Sequence, residues 1–272
     1  MGALLSCPNC FTREFQTISN DQVQGLSETC LIFHTNFERI EMSEDGNVGE
    51  KKEQGEEKLS KVEVIDSLQR VLKEFLKEVR GEPEDIGYVK ALSSAGIEIY
   101  LKDVLGGYSM ISVWKCDVPA WKIAKFLGMA EKRKEWDSHV AEFKKICEIS
   151  EGICLYYTLY KRFLTMAPRD VLVATQEIQL ENAWVNISTS IGSNIVPEND
   201  RVVRAKVNKS GYFIQDIEKD ELGNCSMVIS VLDANYGQSV ASAIVKKMTV
   251  NVAPKYIKMM IEAMKRLETE LN

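Results

Sequence analysis

The chain has 272 residues, 45% hydrophobic and 27% charged, a composition that excludes a disordered, fibrous or collagen-like protein. No apolar run reaches the roughly 18–20 residues that span a bilayer, and the N-terminus lacks the basic flank and apolar core of a secretory signal, so the sequence reads as cytoplasmic. The net charge of −6 resides wholly in residues 1–60, where five basic groups face eleven acidic ones; the balanced remainder has no concentrated basic face, which argues against nucleic acid.

Met1-Gly2-Ala3-Leu4-Leu5-Ser6 fits the N-myristoylation pattern at Gly2. One myristoyl chain holds a membrane only marginally, and palmitoylation of Cys7 and Cys10 would supply the second signal. The same residues allow two other readings: an unmodified flexible tail, or a zinc site built from Cys7-x-x-Cys10 and Cys30-x-x-x-His34. Glu41 to Lys58 carries seven acidic residues and three glycines, with only Met42 and Val48 as apolar side chains. Too little surface can be buried there to offset backbone ordering, so residues 1–58 read as a flexible acidic tail and linker, with the folded body at 59–272. The seven cysteines follow no framework spacing, and structural disulfides are not expected.

From Leu59, apolar residues at Val62, Ile65, Leu68, Leu72, Phe75, Leu76 and Val79 predict an amphipathic helix capped by Ser60 and stopped by Gly81. Gly96–Val104 and Tyr108–Cys116 flank Leu105-Gly106-Gly107 as a hairpin. A helical region opens at Asp117 and Pro119 and runs to about His139, with a break near Gly128. Six strands follow without an intervening helix, over about 141–149, 153–162, 169–180, 183–193, 201–217 and 224–235, which predicts an antiparallel sheet. The last helix covers about Ser239 to Leu271, and Pro254 should kink or interrupt it.

The strands at 153–163 and 171–178 are apolar or aromatic on both faces, so both must be covered. A curved sheet around a long helix, with lipophilic space between, would do so. The last helix offers Met248, Met259, Met260 and Met264 beside Ile257, Ile261 and Leu267; methionines there suit either a packed core or a wall touching changeable apolar cargo.

Five dispersed segments, Arg133-Lys134-Glu135-Trp136-Asp137, Tyr157–Arg162, Pro168-Arg169-Asp170-Val171-Leu172, Arg201–Asn208 and Pro254-Lys255-Tyr256-Ile257, resemble the START (StAR-related lipid transfer) domain in order and spacing. The resemblance covers about 62–271 and is closest to the phosphatidylcholine and ceramide transfer group. It implies an α+β helix-grip fold: an incomplete antiparallel barrel closed by the C-terminal helix around a tunnel for one lipid. Through the resemblance, Arg133 takes the place of a phosphate-binding arginine and Asp137 that of an acidic head-group reader; the competing readings of Arg133 are a salt bridge to Asp137 and a solvent-exposed helix charge. It likewise turns Tyr156, Thr158, Tyr160, Val171, Val173, Thr175 and Ser188 inward, and makes Gly192–Asp200, with Ile195 and Val196 at its tip, the lid; an ordinary turn stabilised by Pro197 and Asn199 is the competing reading of that loop. Met248, Ile257, Met260, Ile261 and Met264 are the expected tunnel wall on the last helix.

Departures from the family weaken any one choice of head group. An aromatic choline cage would need rings where this chain has Thr158, Val171 and Asn208. The ceramide reader's polar set falls at Thr158, Val173 and Ser188, and the sterol group's charged positions fall at Tyr156 and Thr175. The expected ligand is therefore a glycerophospholipid of broad head-group choice, transferred between membranes by a monomer, with a lipid-gated sensor or membrane adaptor as the alternative. With only His34 and His139 and no glycine-rich phosphate loop or nucleophile elbow, neither an enzyme nor a cofactor is expected. Labelling cells with an alkyne analogue of myristate should mark the wild type and not Gly2→Ala; an unlabelled wild type removes the anchor.

Overall fold

The computed structural model of the protein describes residues 60–105, 107–162, 166–192, 195–237 and 242–267, without the side chains of 242–245 and Met248. All of them belong to the unit Leu59–Asn272. The expectations for Gly2, Cys7, Cys10, Cys30, His34 and the Glu41–Lys58 linker lie outside the described residues, as does the side chain of Met248.

Helix α1 (Lys61–Arg80) forms where its apolar spacing requires. The Ser60 hydroxyl accepts from the Glu63 amide at 3.4 Å, Glu63 lies in the first turn, and Lys77 and Arg80 lie in the last, so charge and cap agree with the helix dipole. Its buried stripe comprises Val64, Leu68, Val71, Leu72, Phe75, Leu76 and Val79.

Ten strands make one sheet: β1 (Val89–Ser94), β2 (Ile97–Val104), β3 (Gly107–Cys116), β4 (Val140–Ser150), β5 (Ile153–Tyr160), β6 (Arg169–Gln179), β7 (Ala183–Ser190), β8 (Val203–Arg204), β9 (Lys206–Asp216) and β10 (Ser226–Asn235). Their spatial order is β1-β2-β3-β10-β9-β7-β6-β5-β4, antiparallel throughout, with β8 alone pairing parallel to the start of β6. The β3–β10 pairing joins the first hairpin to the later meander. Between β3 and β4 lie α2 (Ala120–Gly128), a 3-10 turn at Ala130–Lys132 and the single turn α3 (Arg133–Trp136). Helix α4 (Ser242–Arg266) follows β10.

The sheet's two faces are covered separately. Leu172, Ala174, Val185, Ile187 and Phe213 alternate onto the outer face, where α1 packs against β6, β7, β9 and β10. Val228, Ile214 and Trp114 pack on the inner side with Ile123 and Phe126 of α2 and with Ile257, Met260 and Ala263 of α4. The architecture is the expected α+β arrangement of an antiparallel sheet and a closing C-terminal helix.

Three local differences from the sequence reading have physical causes. Strand β1 was not expected, because an edge strand exposed at five of its six positions carries no buried alternation. The single strand expected at 201–217 is two: β8 turns to pair with β6, and the Ala205 amide then bonds to the Asp170 carbonyl before β9 begins. Helix α4 runs through Pro254 without interruption. Pro254 lies in the middle of the helix and lacks the one amide hydrogen that would bond to the Val250 carbonyl, and the helix continues past that single missing donor.

Gly211 marks the tightest contact between helix and sheet. A Cβ there would lie 2.5 Å from the Asn186 carbonyl oxygen and 3.0 Å from the Phe75 ring, whereas one on Gly192 would meet nothing within 4 Å. Gly211→Ala should therefore lower the free energy of unfolding in urea by about 1–3 kcal/mol, and Gly192→Ala should change it by less than about 0.5 kcal/mol.

Candidate functional site

Between the sheet's inner face and helices α2, α3 and α4 lies a cavity of about 490 Å³. It is lined from seven neighbouring strands, and on β3, β5, β6 and β7 the lining residues alternate as strands require. Tyr108, Met110, Ser112 and Trp114 come from β3, Tyr156, Thr158 and Tyr160 from β5, and Arg169, Val171, Val173, Thr175 and Glu177 from β6. Polar wall groups pair with one another, Ser112 with Ser230 at 2.6 Å and Thr175 with Ser188 at 2.8 Å. This hydroxyl pairing leaves the middle of the chamber neutral.

Charge is concentrated at α3. Arg133 donates through Nε to Asp137 Oδ2 at 3.3 Å, and through Nη2 to the hydroxyls of Tyr160 at 3.2 Å and Tyr256 at 3.4 Å. Its guanidinium also lies over the Tyr160 ring, 5.8 Å from the centroid. Nη1 has no hydrogen-bond partner among the described residues, and the accessible 31% of the side chain is part of the cavity wall. Desolvation opposes the Arg133 charge, but the oxygens of Tyr160, Tyr256 and Asp137 outweigh it and raise its pKa. Burial pushes Tyr212, Tyr236 and Tyr256 upward, so they remain neutral phenols.

Asp137 is 1% exposed and saturated. Besides Arg133 it accepts from the His139 amide at 3.0 Å, with His139 Nδ1 at 3.3 Å. Its own amide closes α3 on the Arg133 carbonyl at 2.8 Å. Of the three sequence readings of Arg133, the salt bridge to Asp137 is therefore present and the solvent-exposed helix charge is not, while Nη1 keeps two N–H groups without a partner among the described residues.

Arg169 is a second cavity arginine that sequence reasoning treated only as part of a motif. It is 7% exposed, with Nε donating to the Tyr236 carbonyl at 3.0 Å and Nη1 to the Ala167 carbonyl at 2.7 Å. Nη2 is buried and has no partner. Burial without a carboxylate lowers its pKa, though a guanidinium remains charged.

The START domain family profile matches residues 61–270, which is the whole described body. The chain belongs to the START domain family. START domain-containing protein 10 of mouse and of human each match at 26% identity over 184 residues, 66% of this chain and 62% of the relative's length. A crystal structure of human STARD10 superposes with a TM-score of 0.64 at 22% identity, covering 72% of this chain and 79% of that one. Human StAR-related lipid transfer protein 5 gives 0.67 at 13% identity, covering 77% and 100%. At those identities the two structures establish the helix-grip fold.

Within this START domain, the structure brings Arg133, Asp137, Tyr156, Thr158, Tyr160, Val171, Val173, Thr175, Ser188, Ile257 and Met260 to one cavity wall. Four other expected residues lie elsewhere. Met264, one turn beyond Met260, is buried in the core near Val118, and Ile261 packs beside that core. Ile195, 43% exposed, and Val196 sit on the loop between β7 and β8, away from the lining. Asn208, a cage position by resemblance, lies outside the lining and donates to Asp233 at 2.9 Å, because a bulge in the β9–β10 pairing turns Val207 inward instead. Sequence reasoning also missed the rings of Tyr108, Tyr212, Tyr236 and Tyr256. The spacing of Tyr256 four residues before Met260 was the one available signal, since it sets both on the same face of α4.

Asp137→Asn should lower thermal stability, because it leaves Arg133 without its carboxylate. The expected loss is about 1–3 kcal/mol, below the roughly 3–5 kcal/mol of a fully buried pair since Arg133 is partly accessible. Calorimetry of the purified domain measures it.

Proposed function

We propose that the protein binds one glycerophospholipid in this cavity and carries it between membranes. The observation that carries this reading is a mostly apolar chamber whose wall includes a partly accessible cationic fork, Arg133, with no hydrogen-bond partner for Nη1 among the described residues. A phosphate accepts two parallel hydrogen bonds from such a fork, while acyl chains take the apolar walls. Membership of the START domain family supports the same reading.

Access requires part of the wall to move. The loop carrying Ile195 and Val196 serves as the lid, held in the closed state by Arg204 Nη2 on the Val196 carbonyl at 3.2 Å. Helix α4 presents exposed Lys247, Lys255 and Lys258, a face suited to anionic membrane surfaces. Acylation at Gly2, Cys7 and Cys10 would add a standing hold on one membrane. No helix among the described residues is long and apolar enough to cross a bilayer, which fits a peripheral attachment.

Transfer of labelled phospholipid between two liposome populations is the direct test. The protein should accelerate it well above the spontaneous rate; no acceleration for any phospholipid overturns the reading. Stoichiometric loading without transfer selects the sensor or adaptor instead. Arg133→Ala should weaken phospholipid binding by about 1.5–3 kcal/mol, the loss of a charge-assisted contact.

A further inference from the structure

We propose that Arg169 is a second anion-recognition residue and that the cavity selects lipids whose head group carries a net negative charge. The proposal rests on the lipid-binding reading above and deepens it.

Arg80 at the end of α1 and Arg169 both have buried guanidinium nitrogens without a hydrogen-bond partner, and of the two only Arg169 lines the chamber. Lys209, also 7% exposed, has Glu78 at 2.9 Å. Arg204 holds both oxygens of Asp170 at 2.7 and 3.0 Å, and Arg133 has Asp137. Arg169 has two carbonyl oxygens and no carboxylate. The nearest acids by sequence and site are already engaged, Asp170 by Arg204 and Asp137 by Arg133 and His139. A buried charge without a counter-ion is costly, and a buried guanidinium nitrogen without any acceptor adds to that cost. A ligand oxygen bearing negative charge relieves both.

Placement fits one head group. Arg169 is the register partner of Tyr160 across β5 and β6, and Tyr160 also accepts from Arg133. The two arginines thus flank one tyrosine at the same end of the chamber. At this end of the chamber the lining sets Arg133 and Arg169 against Asp137, an excess of one positive charge, while Lys161 is exposed and donates to the Ser138 carbonyl. Glu177 stands eight residues along β6 from Arg169, about 26 Å at the usual strand rise, and cannot neutralise the same group. A zwitterionic lipid brings its own ammonium and leaves the excess uncancelled; the Tyr160 ring that could face that ammonium is covered by Arg133. A phosphodiester with an uncharged alcohol brings a charge of −1 and cancels it. Because Nη2 has almost no accessible surface in the empty chamber, binding includes a small displacement of the side chains around it.

The test uses the full chain and vesicles holding equal amounts of phosphatidylglycerol and phosphatidylcholine with identical acyl chains. Both lipids then share one surface, and attraction of the protein to that surface favours neither. Protein is re-isolated and its cargo extracted and quantified by mass spectrometry. Wild type should carry phosphatidylglycerol in at least about tenfold excess, the low end for a charge-assisted hydrogen bond. Arg169→Gln should bring the ratio to within about twofold of unity while total occupancy stays within about threefold. A wild-type ratio near one, or in favour of phosphatidylcholine, overturns the proposal and leaves the lipid reading standing. A tenfold ratio that survives Arg169→Gln also overturns it. Wild type with no lipid of either kind overturns both readings. Should the glutamine variant fail to fold, Arg169→Lys keeps the charge and loses the fork: the proposal expects an anionic preference of reduced size, and an unchanged ratio overturns it.

Discussion

A sheet that is apolar on both faces has to be covered twice, and the rest of this structure follows from that constraint. Helix α1 covers the outer face by direct packing, close enough that Gly211 can carry no side chain. The inner face wraps further than α2 and α4 can fill, and the remainder is a chamber lined from seven strands. Solid packing on one side and incomplete packing on the other come from the same alternation along β5, β6, β7 and β9. The outer positions are Leu172, Ala174, Val185 and Ile187, all nearly inaccessible, whereas the inner ones include Thr175, Asn186 and Ser188. Small polar residues on an inner face leave space; branched ones on an outer face remove it.

The chamber's charged groups divide by how well they are compensated. Asp137 is held by Arg133 and His139 and closes α3, so it belongs to the scaffold as much as to the site. Arg133 has one carboxylate and two phenols, and a free edge. Arg169 has only backbone carbonyls, one from Ala167 before β6 and one from Tyr236 after β10. It therefore joins the segment before β6 to the segment that leads to α4. Structural and recognition roles meet in this side chain because its fork has three directions and the scaffold uses two.

Much of the fold was legible because its signals are local. Ser60, Gly81 and the apolar stripe between them delimit α1, and the strand signals at Gly96–Val104 and Tyr108–Cys116 match the β2–β3 hairpin. The inward set on β5 and β6 could be placed in one register because each strand alternates and the two motifs fix its phase. What remained hidden depends on contacts distant in sequence. The bulge that expels Asn208 arises from pairing with β10, and the splitting of β8 from β9 arises from an extra partner on β6. The tyrosine wall is assembled from β3, β9, the end of β10 and α4, so no single window contains it. Arg169 was readable as a motif letter only, because its lack of a carboxylate is a property of everything around it.

Enclosure also dictates which part of the wall can open. With the proposed two-chain lipid as cargo, roughly 30 methylenes at about 0.8 kcal/mol each would be hidden, so on the order of 20 kcal/mol would keep the loaded chamber shut in water, and opening would have to occur where a membrane takes over that contact. The sheet cannot be that door, since every interior strand is bonded on both sides. Helix α4 can. Beyond Pro254 it is fixed by Ile257, Met260, Ala263 and Met264, each no more than 3% exposed. Before Pro254 its described hold is lighter, Ala253 against the edge of the core together with the Thr249 hydroxyl on Tyr108 at 2.6 Å and Lys246 on Asp103. The polar contacts exchange readily for water or lipid phosphate, and the proline has already removed the backbone bond to Val250. The N-terminal half of α4 is thus the cheapest piece of the wall to detach, and it is the half that the Arg169–Tyr236 contact adjoins.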